Sequence, residues 1–510
     1  MTARWQPPLF ELADRRPDDP AVDDGVRADT WGELDRRTRA LAHGLDALAG
    51  GPGRHVALVA DNRTEFIEVA LGCLRAGLVY TPVKSNWKAN EVTKVLDDAG
   101  TTLVVTDVEG GRAAAAAAGL PVVDLDDDFE GWVAQADDGP VPYERAGRKL
   151  TYTSGTTGRP KGVVLAGAGG APFPEAFVAS TGQAVAIGLP RDGTHLFVSR
   201  LFHGAPLTFG LAALARGAAL RIMRTWDAAD ALVLLQDGVS SSCMVPTMFR
   251  QFLALPEETR AGFAAPLLRV AHGGEPCPVP LKQAMVDWWG PVFTEYYGFS
   301  EGGMTVATPE DWSARPGTVG RAVRGRRIII VGPDDEELPV GREGTIYFES
   351  PDGSSFHYHG DEAKTSAAHR GRAFTVGDIG RVDEDGYLYV TGRTADVIVV
   401  SGVNIYPAEI ESELSGTDGL ADLAVAGAPD PLRGEQVVAF VVPAHDVEPV
   451  ELLARLEGLA AARLAGNKRP RAYRLVEALP RDPTGKLLRK DLQQLLSAEG
   501  PTGAPTEGAP

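Results

Sequence analysis

The chain has 510 residues, 44% of them hydrophobic, which is enough for two or more domains with real cores and excludes global disorder. Its formal net charge of −19 excludes a general nucleic-acid or anionic-membrane binder, since both need a basic footprint. Cys73, Cys243 and Cys277 close no disulfide framework, and neither a signal peptide nor an apolar run of about 18 residues is evident, so a soluble cytoplasmic protein without a membrane span is expected.

Residues 1–20 read as a partly ordered lead-in. Thr30-Trp-Gly-Glu33 fits a capping box, and Leu34, Thr38, Leu41, Leu45 and Leu48 then share one helical face. Residues 56–59, 79–83 and 103–106 read as strands. Between them lie a helix over 64–76, stopped by Gly77, and a helix capped by Asn90 and running to Ala99. Strands alternating with helices at this spacing predict a parallel α/β sheet. Residues 113–118 are low-complexity and helical. The acidic stretch 124–138, around Phe129 and Trp132, reads as a solvated loop without metal-ligand spacing. A second α/β run over about 180–305 carries candidate strands at 195–198, 218–222, 242–245 and 268–271. From about 315, short alternating segments at 327–331, 344–348, 380–383 and 386–390 predict a small β-rich subdomain. Residues 395–495 form a separate small α/β domain, and a Gly/Pro/Thr-rich tail from about 499 reads as disordered.

Between the two α/β runs lies Thr151-Tyr-Thr153-Ser154-Gly155-Thr156-Thr157-Gly158-Arg-Pro-Lys161-Gly. Glycines bring backbone N–H groups close to an anion, hydroxyls add donors, and a lysine adds a mobile charge. Alone, this reads equally as a phosphate grip or as a surface turn, and its spacing is not that of the P-loop. Three further segments, and three single residues beyond them, carry chemistry. Phe202-His203-Gly204 is more often packed or surface than catalytic. The Gly273-Gly274 pair in His272-Gly-Gly-Glu275 suits close backbone approach to a ligand or a plain strand-to-helix turn. Tyr296-Tyr297-Gly298-Phe-Ser300-Glu301 combines a flat aromatic face, a hydroxyl donor and a hard oxygen ligand suited to Mg2+. Asp378, Arg393 and Lys486 are, taken singly, ordinary loop or solvated residues.

Together, and in this order, these segments resemble the signature motifs of the adenylate-forming superfamily: acyl-CoA synthetases, luciferases and peptide-synthetase adenylation domains. The resemblance spans about 150–490. It implies that residues 153–158 and Lys161 hold the β,γ-phosphates of ATP, that Gly274, Glu275, Tyr297 and Gly298 border the adenine, and that Ser300 donates to the α-phosphate. It implies that Glu301 holds Mg2+, that Asp378 binds the ribose hydroxyls and that Arg393 reaches the ribose or phosphate side. His203 would sit beside the substrate carboxylate, with Phe202, Val245, His272, Gly273 and Tyr296 around the acid. Arg200 stands where proline is more usual in such ligases, either to bind an anionic substrate group or as a surface arginine. Ser401-Gly402 would border the path of CoA, and Lys486 would contact carboxylate and α-phosphate. The implied architecture is a large N-terminal domain, 1–392, of two α/β subdomains plus the β-rich one. A hinge at 393–397 with Ala395 in place of the usual Asp or Lys follows, then a small mobile C-terminal α/β domain, 398–497, and a tail, 498–510. The implied activity is ATP-dependent activation of a small-molecule acid as acyl-AMP, then transfer to CoA. Activation of an unusual acid without CoA, an amino-aryl acid or nitrite, is the alternative within the superfamily. A nucleotide-binding protein without turnover is the alternative outside it.

Overall fold

The computed structural model describes residues 8–141, 145–153, 161–165, 171–179, 181–264, 268–323, 325–351, 353, 356–401, 403–445, 447–481 and 487–497. The first α/β run forms a five-stranded parallel sheet ordered Val122–Asp124, Thr101–Thr106, His55–Val59, Val79–Pro82 and Arg148–Lys149. The helix Trp31–Ala49 begins at the expected capping box: Thr30 N–H donates to Glu33 Oε2 at 2.9 Å and Glu33 N–H to Thr30 Oγ1 at 3.3 Å. The next two helices, Thr64–Arg75 and Ala89–Ala99, lie where the periodicity places them. Asn90 is not the cap. The helix begins at Ala89, and Glu91 Oε2 reaches back to accept from Lys88 N–H at 3.0 Å.

Two segments are more ordered than their composition suggests. The lead-in contains a helix, Pro8–Arg15. The acidic stretch is not a solvated loop: it holds the end of strand Val122–Asp124 and the helix Phe129–Gln135, which buries Phe129 and Val133. Glu130 there accepts from Arg27 Nη1 at 2.6 Å and from Arg37 Nη1 at 2.9 Å. The charges that looked solvated are partly neutralised by arginines distant in sequence.

The second α/β run builds a nine-stranded sheet. Its parallel centre runs Ala219–Ile222, Thr194–Phe197, Val239–Met244, Arg269–His272 and Phe293–Gly298. Successive side chains on these strands face opposite sides, so one sheet feeds two cores. Ala271 and Tyr296 join the core with Phe197 and Phe209, whereas Val270, Phe293 and Met244 join Phe249 and Phe252 on the other side. A three-stranded antiparallel sheet follows, with Lys161–Leu165 between Thr151–Thr153 and Phe356–Tyr358. The β-rich subdomain is a six-stranded sheet that includes Arg327–Val331, Gly344–Glu349, Asp378–Val382 and Leu388–Arg393. Its last strand starts later than expected because Gly386, at φ +81°, belongs to the preceding turn.

Residues from Ile398 onward carry their own five-stranded sheet and their own cores, one around Ile405, Leu414, Val437 and Leu456, the other around Phe440, Leu479 and Leu492. The molecule is thus a large N-terminal assembly of several sheets with a smaller α/β C-terminal domain. A single 3₁₀ turn, Thr394–Asp396, joins them between Leu388–Arg393 and Ile398–Val400.

Candidate active site

The carboxyl end of strand Phe293–Gly298 delivers Tyr296 and Tyr297 to opposite faces. Tyr297 leans towards the β-rich subdomain, with its ring centroid 5.9 Å from Phe299 and 6.3 Å from Phe348. Its Oη donates to Asp378 Oδ2 at 2.5 Å, and Arg393 Nε donates to Asp378 Oδ1 at 2.6 Å. The antiparallel register that pairs Asp378 directly with Arg393 creates this contact. Burial and the Asp378 carboxylate hold the Tyr297 hydroxyl well above its usual range. Burial opposes the charge of Arg393, but the same carboxylate outweighs it and raises the guanidinium. A buried carboxylate gripped from both sides is thereby fixed in place.

Four residues beyond Tyr297, Glu301 is also buried. Tyr358 Oη donates to its Oε1 at 2.8 Å, and Lys161 Nζ lies over the Tyr358 ring, 5.1 Å from its centroid. The sheet makes this possible, since Tyr358 pairs with Val163 two residues along from Lys161. Partial burial and the neighbouring Lys364 lower Lys161, while Glu301 and Asp361 pull the other way. Lys364 itself pairs with Asp361 at 3.3 Å. A cleft of about 610 Å³ opens beside them, lined by Tyr358, Asp361, Thr365 and His369 among others. Thr153 and Lys161 are paired in antiparallel register. Ser154, Gly155, Thr156, Thr157 and Gly158 themselves, with Gly402 and Lys486, lie outside the described residues.

His203 is the N-cap residue of the helix Gly204–Leu214, and its ring packs on Phe202 at 4.6 Å. The turn before it is held by Asn62, whose Nδ2 donates to Ser199 O and Met223 O, each at 2.9 Å, and whose Oδ1 accepts from Leu201 N–H at 2.8 Å. A Cβ on Gly204 would lie 3.4 Å from Thr151 Cγ2 and 3.8 Å from Ser300 Oγ. The His203 turn, the strand leading to Lys161 and the Ser300 loop therefore converge at one point. Tyr296 closes the apolar side, edge-on to Phe209 at 4.9 Å with Cys243 Sγ 3.8 Å from its hydroxyl. Gly273 must be glycine here, because a Cβ would stand 2.2 Å from Tyr296 O; Gly274 follows at φ +81°.

Other expected pocket residues are not gathered here. Fully buried His272 points to the opposite face, edge-on to Phe249 at 5.1 Å and to Phe293 at 6.3 Å. Burial, then Lys282, keep its imidazole neutral well below the usual range. Val245 packs on that same core and precedes the helix Pro246–Leu253, where Glu275 Oε2 accepts from Thr247 Oγ1 at 2.8 Å. Arg200 Nη1 sits 3.3 Å from Asp61 Oδ1, both side chains partly exposed. Ser401 occupies an exposed hairpin turn at φ +50°. Asn62, Lys149, Tyr358 and Lys364 escaped the sequence reading.

A family model described as "AMP-binding enzyme" matches residues 9–356, and one described as "AMP-binding enzyme C-terminal domain" matches 409–486. Fatty acid–acyl-carrier-protein ligase ScoC of Streptomyces coeruleorubidus is 32% identical over 502 residues, 94% of this chain and 94% of that protein. Feruloyl-CoA synthase of Amycolatopsis sp. is 33% identical over 489 residues, covering 93% of this chain and 95% of the relative. Among solved structures, o-succinylbenzoate CoA synthetase of Bacillus subtilis in complex with its acyl-adenylate intermediate superposes with TM-score 0.80 at 25% identity, over 96% of this chain and 98% of that one.

Proposed function

The chain belongs to the family of AMP-binding enzymes, and on that premise we propose that it activates a carboxylic acid with ATP and passes the acyl group to a thiol, that of CoA in the first instance. A carboxylate oxygen attacks the α-phosphorus of ATP, the bond to pyrophosphate breaks, and acyl-AMP forms. The thiol then attacks the acyl carbon, AMP leaves, and the thiol proton passes to solvent. The observation that carries this reading is the meeting of two networks within five residues: Tyr297 joins Asp378 and Arg393, and Glu301 joins Tyr358 and Lys161.

Each residue has a task that its position allows. Tyr297 offers its ring to the adenine, and Asp378 its oxygens to the ribose. Lys161 and the 153–158 loop neutralise the leaving pyrophosphate, and Ser300 donates to the α-phosphate. His203, fixed through Asn62, faces the acid. Among the described residues no cluster of three or more metal-ligating side chains exists, and Glu301 is a single buried carboxylate whose Oε1 is already oriented by Tyr358. That arrangement fits Mg2+ carried in on phosphate oxygens rather than a dedicated cage. When bound, Mg2+ neutralises phosphate charge. Lys486 serves the α-phosphate during adenylation and leaves when the 398–497 domain turns about 393–397.

Pyrophosphate release over fatty, aryl and amino-aryl acids and nitrite, with and without CoA, tests this. Release with an acid and a CoA thioester as product is the expected result. Release with thioester formed only on a carrier-protein thiol moves the acceptor, a variant that the 32% identical carrier-protein ligase favours. Release without any thioester replaces the reading by acid activation alone. No release with any acid overturns it in favour of nucleotide binding without turnover. Lys486→Ala is expected to lose pyrophosphate release yet still form thioester from supplied acyl-AMP. Equal loss of both half-reactions removes Lys486 from its assigned role.

A further inference from the structure

Lys149 closes the strand Arg148–Lys149 and is half-buried there. Its Nζ donates to Gly204 O at 3.0 Å and to Thr208 Oγ1 at 2.6 Å. Both acceptors are neutral. No carboxylate pairs with it among the described residues, in a chain where buried Arg37 and Arg75 and the enclosed Arg63 each meet an acidic partner. An ammonium has three donors, so two are spent on holding its position and one remains. A desolvated cation without a counter-charge is costly, and its persistence calls for an anion that arrives later.

The surroundings are short of any other charge. The helix Gly204–Leu214 contains no ionisable side chain. Strand Val79–Pro82 faces Lys149 with Tyr80 in direct register, and Cys73 lies next to Tyr80; burial raises both hydroxyl and thiol, so both are neutral. Burial also pushes the Lys149 ammonium down to about 8. The residue keeps some accessible surface. Its anchor, Gly204, follows His203, and a Cβ added there would meet Thr151 and approach Ser300.

We propose that Lys149 is an anion-recognising residue at the acid end of the site, holding its spare donor and uncompensated charge for a carboxylate of the substrate. The inference rests on the acid-activating reading above and names the group that meets the acid. The carboxylate has two possible sources: the reacting group of a monoacid, or a second carboxylate of a diacid.

Calorimetric binding of hexanoate, benzoate and succinate, with a non-hydrolysable ATP analogue present, tests it without needing turnover. Lys149→Gln keeps a neutral donor for Gly204 and Thr208 but removes the charge; Lys149→Arg keeps the charge. The expected result is carboxylate affinity about tenfold or more weaker in K149Q, near wild type in K149R, with analogue affinity unchanged in both and Tm at or above wild type in K149Q. Weakening for all three acids assigns the reacting carboxylate, and weakening for succinate alone assigns the second. Wild-type affinity is also expected to fall as pH rises through about 8, where the ammonium loses its proton, while K149R holds its affinity to higher pH. Equal carboxylate binding by wild type and K149Q overturns the proposal, as does wild-type protein that binds none of the three. Pyrophosphate release, measured alongside, reports on the parent reading: charge-dependent binding without turnover sinks the enzyme assignment and keeps this one, and unchanged turnover in K149Q does the reverse.

Discussion

Asp378 shows how much one buried side chain can hold. Each of its oxygens accepts one short hydrogen bond, from a phenol and from a guanidinium. Asp378→Asn replaces one acceptor by a donor facing a donor, in a site with little room to rotate. The expected outcome is an apparent KM for ATP raised by about tenfold or more with a smaller change in kcat, read from steady-state pyrophosphate release. Tyr358→Phe leaves Glu301 Oε1 without its donor, and a fall in kcat of about tenfold with unchanged Tm is expected. Lys149 also makes a statement about stability. Its folded-state value of about 8 lies below the usual 10.5, so its protonation opposes folding; the penalty is complete below about pH 8 and fades as pH rises towards 10.5. Lys149→Met is therefore expected to unfold at the same or a higher temperature than wild type at pH 7, with the advantage shrinking by pH 10, even though it loses acid affinity. At this scale the sequence was legible where one short segment sets neighbours side by side, as Tyr297, Ser300 and Glu301 are. It was silent on Tyr358, because only the pairing of Phe356–Tyr358 with Lys161–Leu165 brings that ring to the lysine.

Elements were legible where a period repeats often enough to be read. The helix Trp31–Ala49 and the buried strands of the first sheet lie within a few residues of their expected places. The helix Phe129–Gln135 has seven residues, under two turns, and the arginines that neutralise its Glu130 lie 103 and 93 positions away in sequence. No local window contains that information. Facing was harder still: His272 and Tyr296 read as one pocket, but alternation along neighbouring strands sends them into different cores. Gly273→Ala tests the close packing of those strand ends. A Cβ 2.2 Å from Tyr296 O forces the two strands apart, for an expected loss of about 1–3 kcal/mol in denaturant unfolding. Substrate affinity is expected to fall with it, since Tyr296 closes the apolar side.

The whole molecule is divided by its cores rather than by its sheets. The two C-terminal cores draw only on residues from Ile398 onward, so that domain has the means to stay folded while its orientation changes. Limited proteolysis is expected to cut within 393–397 and to release two folded fragments, of which the larger still binds ATP; loss of nucleotide binding on cleavage counts against the proposed division. Arg393 ends the strand paired with Asp378, and Thr394 opens the 3₁₀ turn. The side chain that grips the Asp378 carboxylate is thus the first residue of the proposed 393–397 pivot. Nucleotide and domain orientation share a single stretch of backbone, and linked equilibria are reciprocal: whichever orientation binds a nucleotide species more tightly is favoured by that species by the same factor. On the proposed pivot, ATP, acyl-AMP and AMP would each favour their own domain orientation, so the hinge would express the progress of the reaction as an angle.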